Sequence, residues 1–372
     1  MDATMMRQPL TTQMIFRRGA RLFFDSVVSR YDGESLVECR YSEIADRAAR
    51  FASALDALGV RPGDRIGTFC WNDFPHLEAY LAVPSLGVVL HTLNVRLFAE
   101  QLAYIIGHAA DRVLVVDASL LPVLHPVLPQ LTTVEHLVLI GTSDLDLGDF
   151  DGRVHDYEAL VAAHSPKTDW PAIDEGQAAV ICYTSGTTGH PKGVVYSHRS
   201  IYLHSLASLG ADAFAISNRD RLLMLPPMFH ANAWGMPFSG WLAGSDLVLP
   251  AHHLQPAQLA RIAALARPTF VAAVPTILND LLQLHAQSPI DLSCFRTIVS
   301  GGSAVSPLLI ERVKAAWGVD LVQGWGMTET SPMCVLSHPP RGTPDGEGPK
   351  WRAMSGRPVA GMEVRIVDDE GK

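Results

Sequence analysis

The chain has 372 residues, enough for two or three domains, and its 48% hydrophobic and 18% charged residues are typical of a globular protein with a substantial core. The net charge is −9, from 29 basic and 38 acidic residues, which gives no support to nucleic-acid binding, since that needs a concentrated basic face. The five cysteines are scattered without a C-x-x-C spacing, which indicates reduced thiols in a cytoplasmic protein and excludes a disulfide framework or a cysteine zinc site.

The N-terminal segment lacks the sustained apolar core of a signal peptide. No window approaches the roughly 18 uncharged apolar residues of a membrane span, so the sequence predicts none. The basic and aromatic segment 16–24 could rest on a lipid surface, which would make a cytoplasmic protein peripherally membrane-associated. An amphipathic helix packed on the protein body is the more ordinary interpretation.

The first 175 residues alternate between predicted helices and strands. Apolar residues recur at helical spacing from Ile44 until Gly59 ends the pattern, and the turn signal at 61–64 leads into a strand at 65–70. The next predicted elements are a helix at 78–86, a strand at 88–90, a helix at 100–108 and a strand at 113–116. This alternation predicts a parallel sheet covered by helices.

A polar, proline-containing segment at 164–176 marks a predicted boundary, after which the alternation resumes. The later predicted elements are strands at 178–182, 194–196, 222–225, 247–249, 270–274, 297–299 and 320–322, and helices at 256–266, 276–287 and 307–317. We therefore predict an α/β fold with two doubly wound, mostly parallel sheets and helices on their faces. Residues 1–175 would form the first α/β subdomain and residues 176–352 the second.

The last segment, 361–368, alternates between apolar and polar residues, which is typical of a half-exposed antiparallel strand. We interpret residues 353–372 as the beginning of a small β-barrel subdomain. Because a lone strand and turn is an unusual place for a natural chain to stop, the sequence is interpreted as truncated.

A segment rich in glycine, serine and threonine, YTSGTTGHPKGV at 183–194, lies between two predicted strands. Small residues let backbone N–H groups approach an anion, hydroxyls add donors, and Lys192 adds a cation. The spacing does not match the Walker pattern. A plain surface turn is the alternative, but the complete string with its Pro-Lys-Gly ending favours a polyphosphate site. We call residues 184–192 the phosphate loop.

Three further segments carry candidate chemistry. In GWGMTET at 324–330, an aromatic ring between glycines can stack on a purine and a carboxylate can hold Mg²⁺; a core tryptophan and a solvated glutamate is the alternative. In SGGSA at 300–304, the backbone could approach a base or an acyl group, although any strand-to-helix turn favours such residues. The apolar loop PPMFHANAWG at 226–235 could line a pocket with His230 near a reacting carboxylate, or could be a packed core loop.

Several common enzyme motifs are missing from the sequence. It has no G-x-S-x-G nucleophile elbow, no H-E-x-x-H metal helix and no G-x-G-x-x-G opening a helix. Serine hydrolase, zinc hydrolase and dinucleotide dehydrogenase functions therefore lose their usual support.

Together, the segments at 183–194, 229–230, 300–304 and 323–332 resemble those of the AMP-forming acyl-CoA synthetases and occur in the same order. That superfamily also includes firefly luciferases and the adenylation domains of nonribosomal peptide synthesis. The string LHTLNVRL at 90–97, with 104–117 behind it, resembles the medium- and long-chain fatty acid branch. The likeness runs from about residue 36 to the end.

The resemblance implies roles for residues in these segments. The implied nucleotide-binding residues are Thr184, Ser185, Gly186, Thr187, Thr188, Gly189, Lys192, Gly302, Gln323, Gly324, Trp325 and Thr328. The implied Mg²⁺ ligands are Thr184 and Glu329. The residues implied to border the acyl substrate are His230, Ala231, Trp234, Gly301 and Gly302. On the same grounds the catalytic candidates are Thr184, Lys192, His230 and Glu329.

In the implied family reaction, a carboxylate attacks the α-phosphorus of ATP to form acyl-AMP and pyrophosphate, and the thiol of coenzyme A then displaces AMP. ATP, Mg²⁺ and coenzyme A are therefore the implied cofactors and co-substrates, and a fatty acid or another apolar carboxylate is the implied substrate. A homodimer stays open. The family's later Thr-Gly-Asp segment and mobile C-terminal domain with its catalytic lysine have no match here, so we expect chain 1–372 to be weak or inactive as a complete synthetase.

Other functions stay open at this point. Amino-acid adenylation modules usually carry an aspartate in the loop that matches 229–235, and the absence of an acid there favours an uncharged acyl chain. A luciferase-like oxygenase shares the first half-reaction. A nucleotide-binding scaffold or pseudoenzyme is the alternative outside enzyme catalysis.

Overall fold

The computed structural model of the protein describes residues 3–148, 150–184, 190–344 and 346–372. Its α-helices are α1 (Thr12–Leu22), α2 (Tyr41–Ala57), α3 (Phe74–Ser85), α4 (Ala99–Ala109), α5 (Leu121–Leu124), α6 (Tyr157–Ala163), α7 (His198–Leu209), α8 (Met236–Ala243), α9 (Pro256–Ala266), α10 (Pro275–Gln287), α11 (Pro307–Trp317) and α12 (Gly348–Arg352). Within the described ranges, none of these helices has the length and apolar character needed to cross a membrane.

The strands form two sheets. They are β1 (Val27–Tyr31), β2 (Leu36–Arg40), β3 (Arg65–Phe69), β4 (Val89–Thr92), β5 (Val113–Asp117), β6 (His136–Ile140), β7 (Arg153–Asp156), β8 (Ala178–Thr184), β9 (Lys192–Ser197), β10 (Arg221–Leu223), β11 (Asp246–Leu249), β12 (Phe270–Ala273), β13 (Thr297–Ser300), β14 (Leu321–Gly326), β15 (Met333–Leu336) and β16 (Arg357–Pro358).

Among the described residues, one sheet has the order β7-β6-β5-β3-β4-β8-β9 and the other has the order β16-β15-β14-β13-β12-β10-β11-β1-β2. Within the described part of the first sheet, the edge strand β9 runs antiparallel to its neighbour and the other pairs are parallel. In the second sheet the pairs from β14 to β1 are parallel, and antiparallel strands lie at both edges. The prediction of two mostly parallel sheets with helices on their faces is confirmed.

The two sheets exchange segments across residue 175, where the sequence suggested a boundary. The β1–β2 hairpin comes from the N-terminal 40 residues but joins the second sheet, because β1 pairs with β11. Conversely, β8 and β9 follow the boundary but join the first sheet, because β8 pairs with β4. The division between the sheets therefore does not coincide with a single point in the chain.

Helix α1 packs one face on the protein body, as the packed-helix interpretation of segment 16–24 predicted. Its residues Ile15 and Phe16 are buried. The indole Nε1 of Trp241 in α8 donates to the Phe16 carbonyl at 3.0 Å, and the Tyr41 ring stacks on Trp241 with centroids 3.9 Å apart. These contacts join the N-terminal helix to the helices that lie between the sheets.

The prediction of a strand at 361–368 is wrong, and the beginning of a barrel at 353–372 is not confirmed. The last strand of the described residues is the short β16, which pairs with β15. Ile366 is 95% exposed. Alternating residues define two faces, but a strand also needs a neighbour to bond its backbone groups. Among the described residues, 362–368 has no such neighbour.

Candidate active site

A pocket with a cavity volume of about 110 Å³ lies where β13 and β14 end. It brings together the three segments singled out at 226–235, 300–304 and 324–330. The lining residues are Phe214, His230, Ala231, Trp234, Val299, Gly301, Gly302, Gly324, Trp325, Gly326, Met327, Thr328, Pro332, Met333 and Leu336. The pocket thus collects eight of the predicted site residues: His230, Ala231, Trp234, Gly301, Gly302, Gly324, Trp325 and Thr328.

Glycine at 301 is required by the close approach of two loops. A Cβ there would lie 2.7 Å from the Gly324 carbonyl oxygen and 3.5 Å from the Trp234 ring. Because β13 and β14 are parallel neighbours, their following loops leave the same edge of the sheet. The small residue lets both backbones face the pocket.

The apolar loop enters the pocket as a left-handed turn. Four consecutive non-glycine residues, 231–234, have φ values of 44°, 54°, 49° and 55°. The left-handed conformation costs about 1–2 kcal/mol per residue, so the surroundings must hold it. Gly235 follows at φ 75° and packs so closely on His204 that a Cβ would lie 2.2 Å from the ring. Burial lowers the pKa of His204 to about 4, so this imidazole is neutral.

The loop that leads into this turn is held by side chains of the first half of the chain. Asn72 donates to the Met224 carbonyl at 2.7 Å and accepts from the Met228 N–H at 2.8 Å. The Tyr80 hydroxyl donates to the Met228 carbonyl. Asn72 and Tyr80 are buried, and together they fix the position from which the left-handed turn starts.

His230 lies at the exposed rim of the pocket. Although its ring reaches solvent, the surrounding protein lowers its pKa by desolvation, and the nearby charge of Arg96 lowers it further. At neutral pH the imidazole is therefore uncharged and can donate or accept a hydrogen bond.

The two strands predicted on either side of the phosphate loop are present, and they pair antiparallel as a hairpin. Thr184 at the end of β8 is opposite Lys192 at the start of β9. Thr184 is half-buried and Lys192 is exposed. The predicted residues Ser185, Gly186, Thr187, Thr188 and Gly189 lie outside the described residues.

Tyr196 connects this hairpin to the pocket. Its hydroxyl donates to the Thr328 carbonyl at 2.6 Å, across from one sheet to the other. Burial raises the pKa of Tyr196, and the negative charge of Glu329 adds to this increase. Glu329 itself is exposed on the turn that follows β14. The phosphate-loop hairpin and the segment 324–330 are therefore adjacent.

Gln323 does not line the pocket. Its side-chain Oε1 accepts from the Val305 N–H at 2.7 Å, and its Nε2 donates to the Met354 carbonyl at 3.0 Å. These bonds place the buried amide behind the 300–304 loop, where it supports the loop that holds Gly302. Direct contact of Gln323 with a nucleotide stays a prediction.

Sequence reasoning missed Tyr196, Asn72 and Phe214. Tyr196 stands at the end of an apolar run, and Asn72 is an isolated polar residue before a helix. Neither Tyr196 nor Asn72 carries a local signal, because the hydrogen-bond partner of Tyr196 lies 132 residues away and those of Asn72 lie at least 152 residues away.

The family model described as "AMP-binding enzyme" matches residues 18–372. The chain therefore belongs to this family, and the curated relatives that it matches include several CoA ligases.

Curated relatives have different acyl groups in their names. The chain is 42% identical over 371 residues to a 3-methylmercaptopropionyl-CoA ligase of Ruegeria lacuscaerulensis, covering 99% of this chain and 69% of the relative. It is 38% identical to a medium-chain-fatty-acid–CoA ligase of Ectopseudomonas oleovorans, covering 99% and 68%. It is 39% identical to a long-chain-fatty-acid–CoA ligase of Thermus thermophilus, covering 100% and 67%.

Solved structures show the same fold. The anthranilate CoA ligase AuaEII in complex with anthranoyl-AMP matches with a TM-score of 0.87 at 24% identity, over 98% of this chain and 68% of that chain. The inhibitor-bound N-terminal domain of FACL13 from Mycobacterium tuberculosis matches with a TM-score of 0.79 at 24% identity, over 97% and 86%.

Proposed function

We propose that the protein activates an apolar carboxylic acid with ATP, forming acyl-AMP and then acyl-CoA. The observation that carries this proposal is the Tyr196–Thr328 hydrogen bond, which joins the phosphate-loop hairpin to the pocket. An ATP phosphate chain at the hairpin and a carboxylate in the pocket would then lie within one continuous site. A fatty acid is the substrate class that two of the three relatives above favour by name.

The nucleotide would bind between the phosphate loop and segment 324–330. Trp325 is 45% exposed at the pocket, so its ring can lie against a purine. Gly302 and Gly324 allow close backbone approach on the same side. Lys192 and the hydroxyl of Thr184 stand at the two ends of the phosphate loop, where they can bind phosphate oxygens.

The oxygen donors of Thr184 and Glu329 fit Mg²⁺. This ion prefers oxygen ligands and is usually bound by one or two protein groups together with substrate phosphates and water. Glu329 lies near Tyr196 of β9, the strand that pairs with β8, and Thr184 ends β8. We propose that both residues reach the same bound ion. When bound, Mg²⁺ supplies positive charge between two anionic reactants.

The remaining residues would orient the carboxylate. Two anions must meet, so the main contributions are positioning and electrostatic stabilisation. His230 is neutral and can donate a hydrogen bond to the carboxylate without adding charge. The left-handed turn directs Ala231 and Trp234 into the pocket, where they would border the acyl group.

The pocket lining favours an uncharged acyl group. Among the described residues that line it, none is an Asp, Glu, Lys or Arg. An amino-acid substrate would bring an ammonium group, and burying that charge without a partner is expensive. We therefore propose that the protein is a ligase for apolar acids and not an amino-acid adenylation module.

The test is ATP–pyrophosphate exchange by the full-length gene product with a panel of acids. The panel contains 3-methylmercaptopropionate, butyrate, octanoate, palmitate and phenylalanine. We expect exchange with at least one apolar acid and none with phenylalanine. Binding of ATP without exchange for any acid would instead support a nucleotide-binding scaffold, and exchange with phenylalanine alone would support amino-acid adenylation.

Tyr196→Phe is expected to weaken ATP binding about fivefold and to lower the free energy of unfolding by about 1–3 kcal/mol, because it leaves the Thr328 carbonyl without its buried donor. Calorimetric ATP titration and urea unfolding measure the two effects. Tyr41→Phe is the matched control, since the Tyr41 hydroxyl donates to the buried Ser245 carbonyl away from the pocket. It should lose stability but keep ATP affinity, and equal affinity losses in both variants would contradict the prediction.

A further inference from the structure

We propose that Tyr104 and His108 on α4 position the phosphate loop by holding Tyr183, which directly precedes the loop, and His190, which lies within it. We call these four side chains the α4 clamp. The inference rests on the proposed function, because it assigns the clamp a role in ATP binding. None of the four residues lines the pocket, so they would act as positioning residues and not on the reacting atoms.

The first contact holds His190, close to the C-terminal end of the phosphate loop. The ring of Tyr104 stacks on that of His190, with centroids 4.5 Å apart and planes at 21°. His108, one helical turn further along α4, continues the same surface, with its ring centroid 5.4 Å from that of Tyr104. Residues four apart on a helix lie on one face, so α4 presents both rings together.

The second contact holds the N-terminal end. The Nδ1 atom of His108 is 2.6 Å from the Tyr183 hydroxyl, and the two rings meet edge to face at 86°. Tyr183 directly precedes Thr184 at the end of β8. One helix face therefore contacts the chain just before and within the loop, on either side of residues 185–189.

Tyr183 also packs against a buried, hydrogen-bonded pair, His91 and Asp111. The His91 ring lies 4.9 Å from the Tyr183 ring. His91 is fixed by a 2.7 Å hydrogen bond between its Nδ1 and the Asp111 carboxylate, and both side chains are fully buried. A Cβ on Gly193 would lie 3.2 Å from the Tyr183 ring, so the hairpin's other strand closes the remaining side.

The exposure of the clamp argues for a local role. His108 and His190 are exposed, and Tyr104 is half-buried where it packs against a hydrophobic cluster. Ordering a backbone around a bound anion costs conformational entropy. Contacts that fix the residues on both sides of 185–189 lower this entropy cost when a nucleotide binds. Removing the contacts should therefore weaken ATP binding and leave global stability unchanged.

The experiment measures MgATP binding to the protein by calorimetry, together with thermal unfolding and ATP–pyrophosphate exchange. Tyr104→Leu and His190→Ala remove the stack, and we expect each to raise the dissociation constant about fivefold. Tyr104→Phe and His190→Phe keep two stacked rings and should stay within about twofold of wild type. His253→Ala is the matched control, because it removes an imidazole that packs on Tyr31 at 5.1 Å in the other sheet.

The double variant Tyr104→Leu/His190→Ala should bind MgATP no more weakly than the weaker-binding of the two single variants. Both substitutions remove the same Tyr104–His190 stack, so their effects should not add. In the exchange assay, the KM for ATP should rise while kcat at saturating ATP stays within about twofold. Additive losses, or an unchanged dissociation constant in His190→Ala, would overturn the clamp. If Tyr104→Leu unfolds, the dissociation constant of His190→Ala, a substitution at an exposed residue, tests the proposal alone.

Wild-type binding separates this proposal from the proposed function. If the wild-type protein fails to bind MgATP, the proposed function fails and the clamp fails with it. If the wild type binds and exchanges normally while the stack-removing variants match it, only the clamp is wrong.

Discussion

Replacing Arg47 by methionine is expected to lower the free energy of unfolding by about 3 kcal/mol, because it leaves a buried carboxylate without its cation. Glu78 on α3 has no exposed side-chain surface, and its Oε1 lies 2.6 Å from the Arg47 Nε. Its other oxygen accepts from the Tyr157 hydroxyl at 2.6 Å. Arg47 also pairs with the exposed Glu158, but that contact should contribute little.

The loss should depend on pH. Burial raises the pKa of Glu78 above its ordinary value of 4.5, and Arg47 partly offsets this increase. Without Arg47 the folded-state pKa should rise further. A group with a raised folded pKa contributes stability that is fully present below about pH 4.5 and is lost as pH rises through the folded pKa. The difference between Arg47→Met and wild type should therefore be large at pH 7–8 and shrink as the pH falls towards 4.5.

Urea unfolding at several pH values measures both effects. Arg50→Met is the matched control, because it removes an arginine from the same helix whose partner, Asp46, is 45% exposed. This control should change the free energy of unfolding by about 1 kcal/mol or less. An Arg47→Met loss no larger than that of the control, or one that grows as the pH falls, would show that the buried pair does not have the assigned role.

Glu329→Gln is expected to reduce adenylate formation at least about 100-fold. The substitution keeps the size of the side chain but removes the negative charge proposed to hold Mg²⁺ beside the hairpin. Because Glu329 is exposed on a short turn, the fold should not depend on its charge. Pyrophosphate release with the best acid of the panel measures the rate, and a magnesium titration should show a weaker apparent affinity in the variant.

Glu311→Gln serves as the control for this change. Glu311 is an equally exposed glutamate, on the surface of α11, and it does not line the pocket. Its replacement should leave the rate unchanged. A Glu329→Gln rate within about threefold of wild type, with an unchanged magnesium dependence, would remove Glu329 from the proposed metal site.

Much of the local structure could be predicted because the signals lie within a few residues. The bounds predicted for α9 and α11, 256–266 and 307–317, agree with the structure. Each helix has a proline in its first turn, and Ser306 caps α11 by accepting from the Leu309 N–H. The alternation at 361–368 misled because it describes only the faces of a strand and not its neighbour.

The candidate site was predictable in composition and not in geometry. The segments 183–194, 226–235, 300–304 and 324–330 were recognisable from residue type and order, and the structure brings the last three into one pocket. The left-handed turn at 231–234 contains no glycine, so the sequence gives no local signal for it. It exists because Asn72, Tyr80 and His204, all distant in the chain, hold the loop on both sides.

The amino-acid sequence alone was sufficient for the fold class, the family and the segments that carry the chemistry, because helix caps, apolar periodicity and glycine-rich strings act over short distances. Tertiary packing was needed to show that β1 and β2 cross into the second sheet and that β8 and β9 return to the first. It was also needed for the Tyr196 bond to Thr328 and for the α4 clamp. These contacts depend on which strands become neighbours, and that is set by the burial of whole surfaces and not by any local pattern.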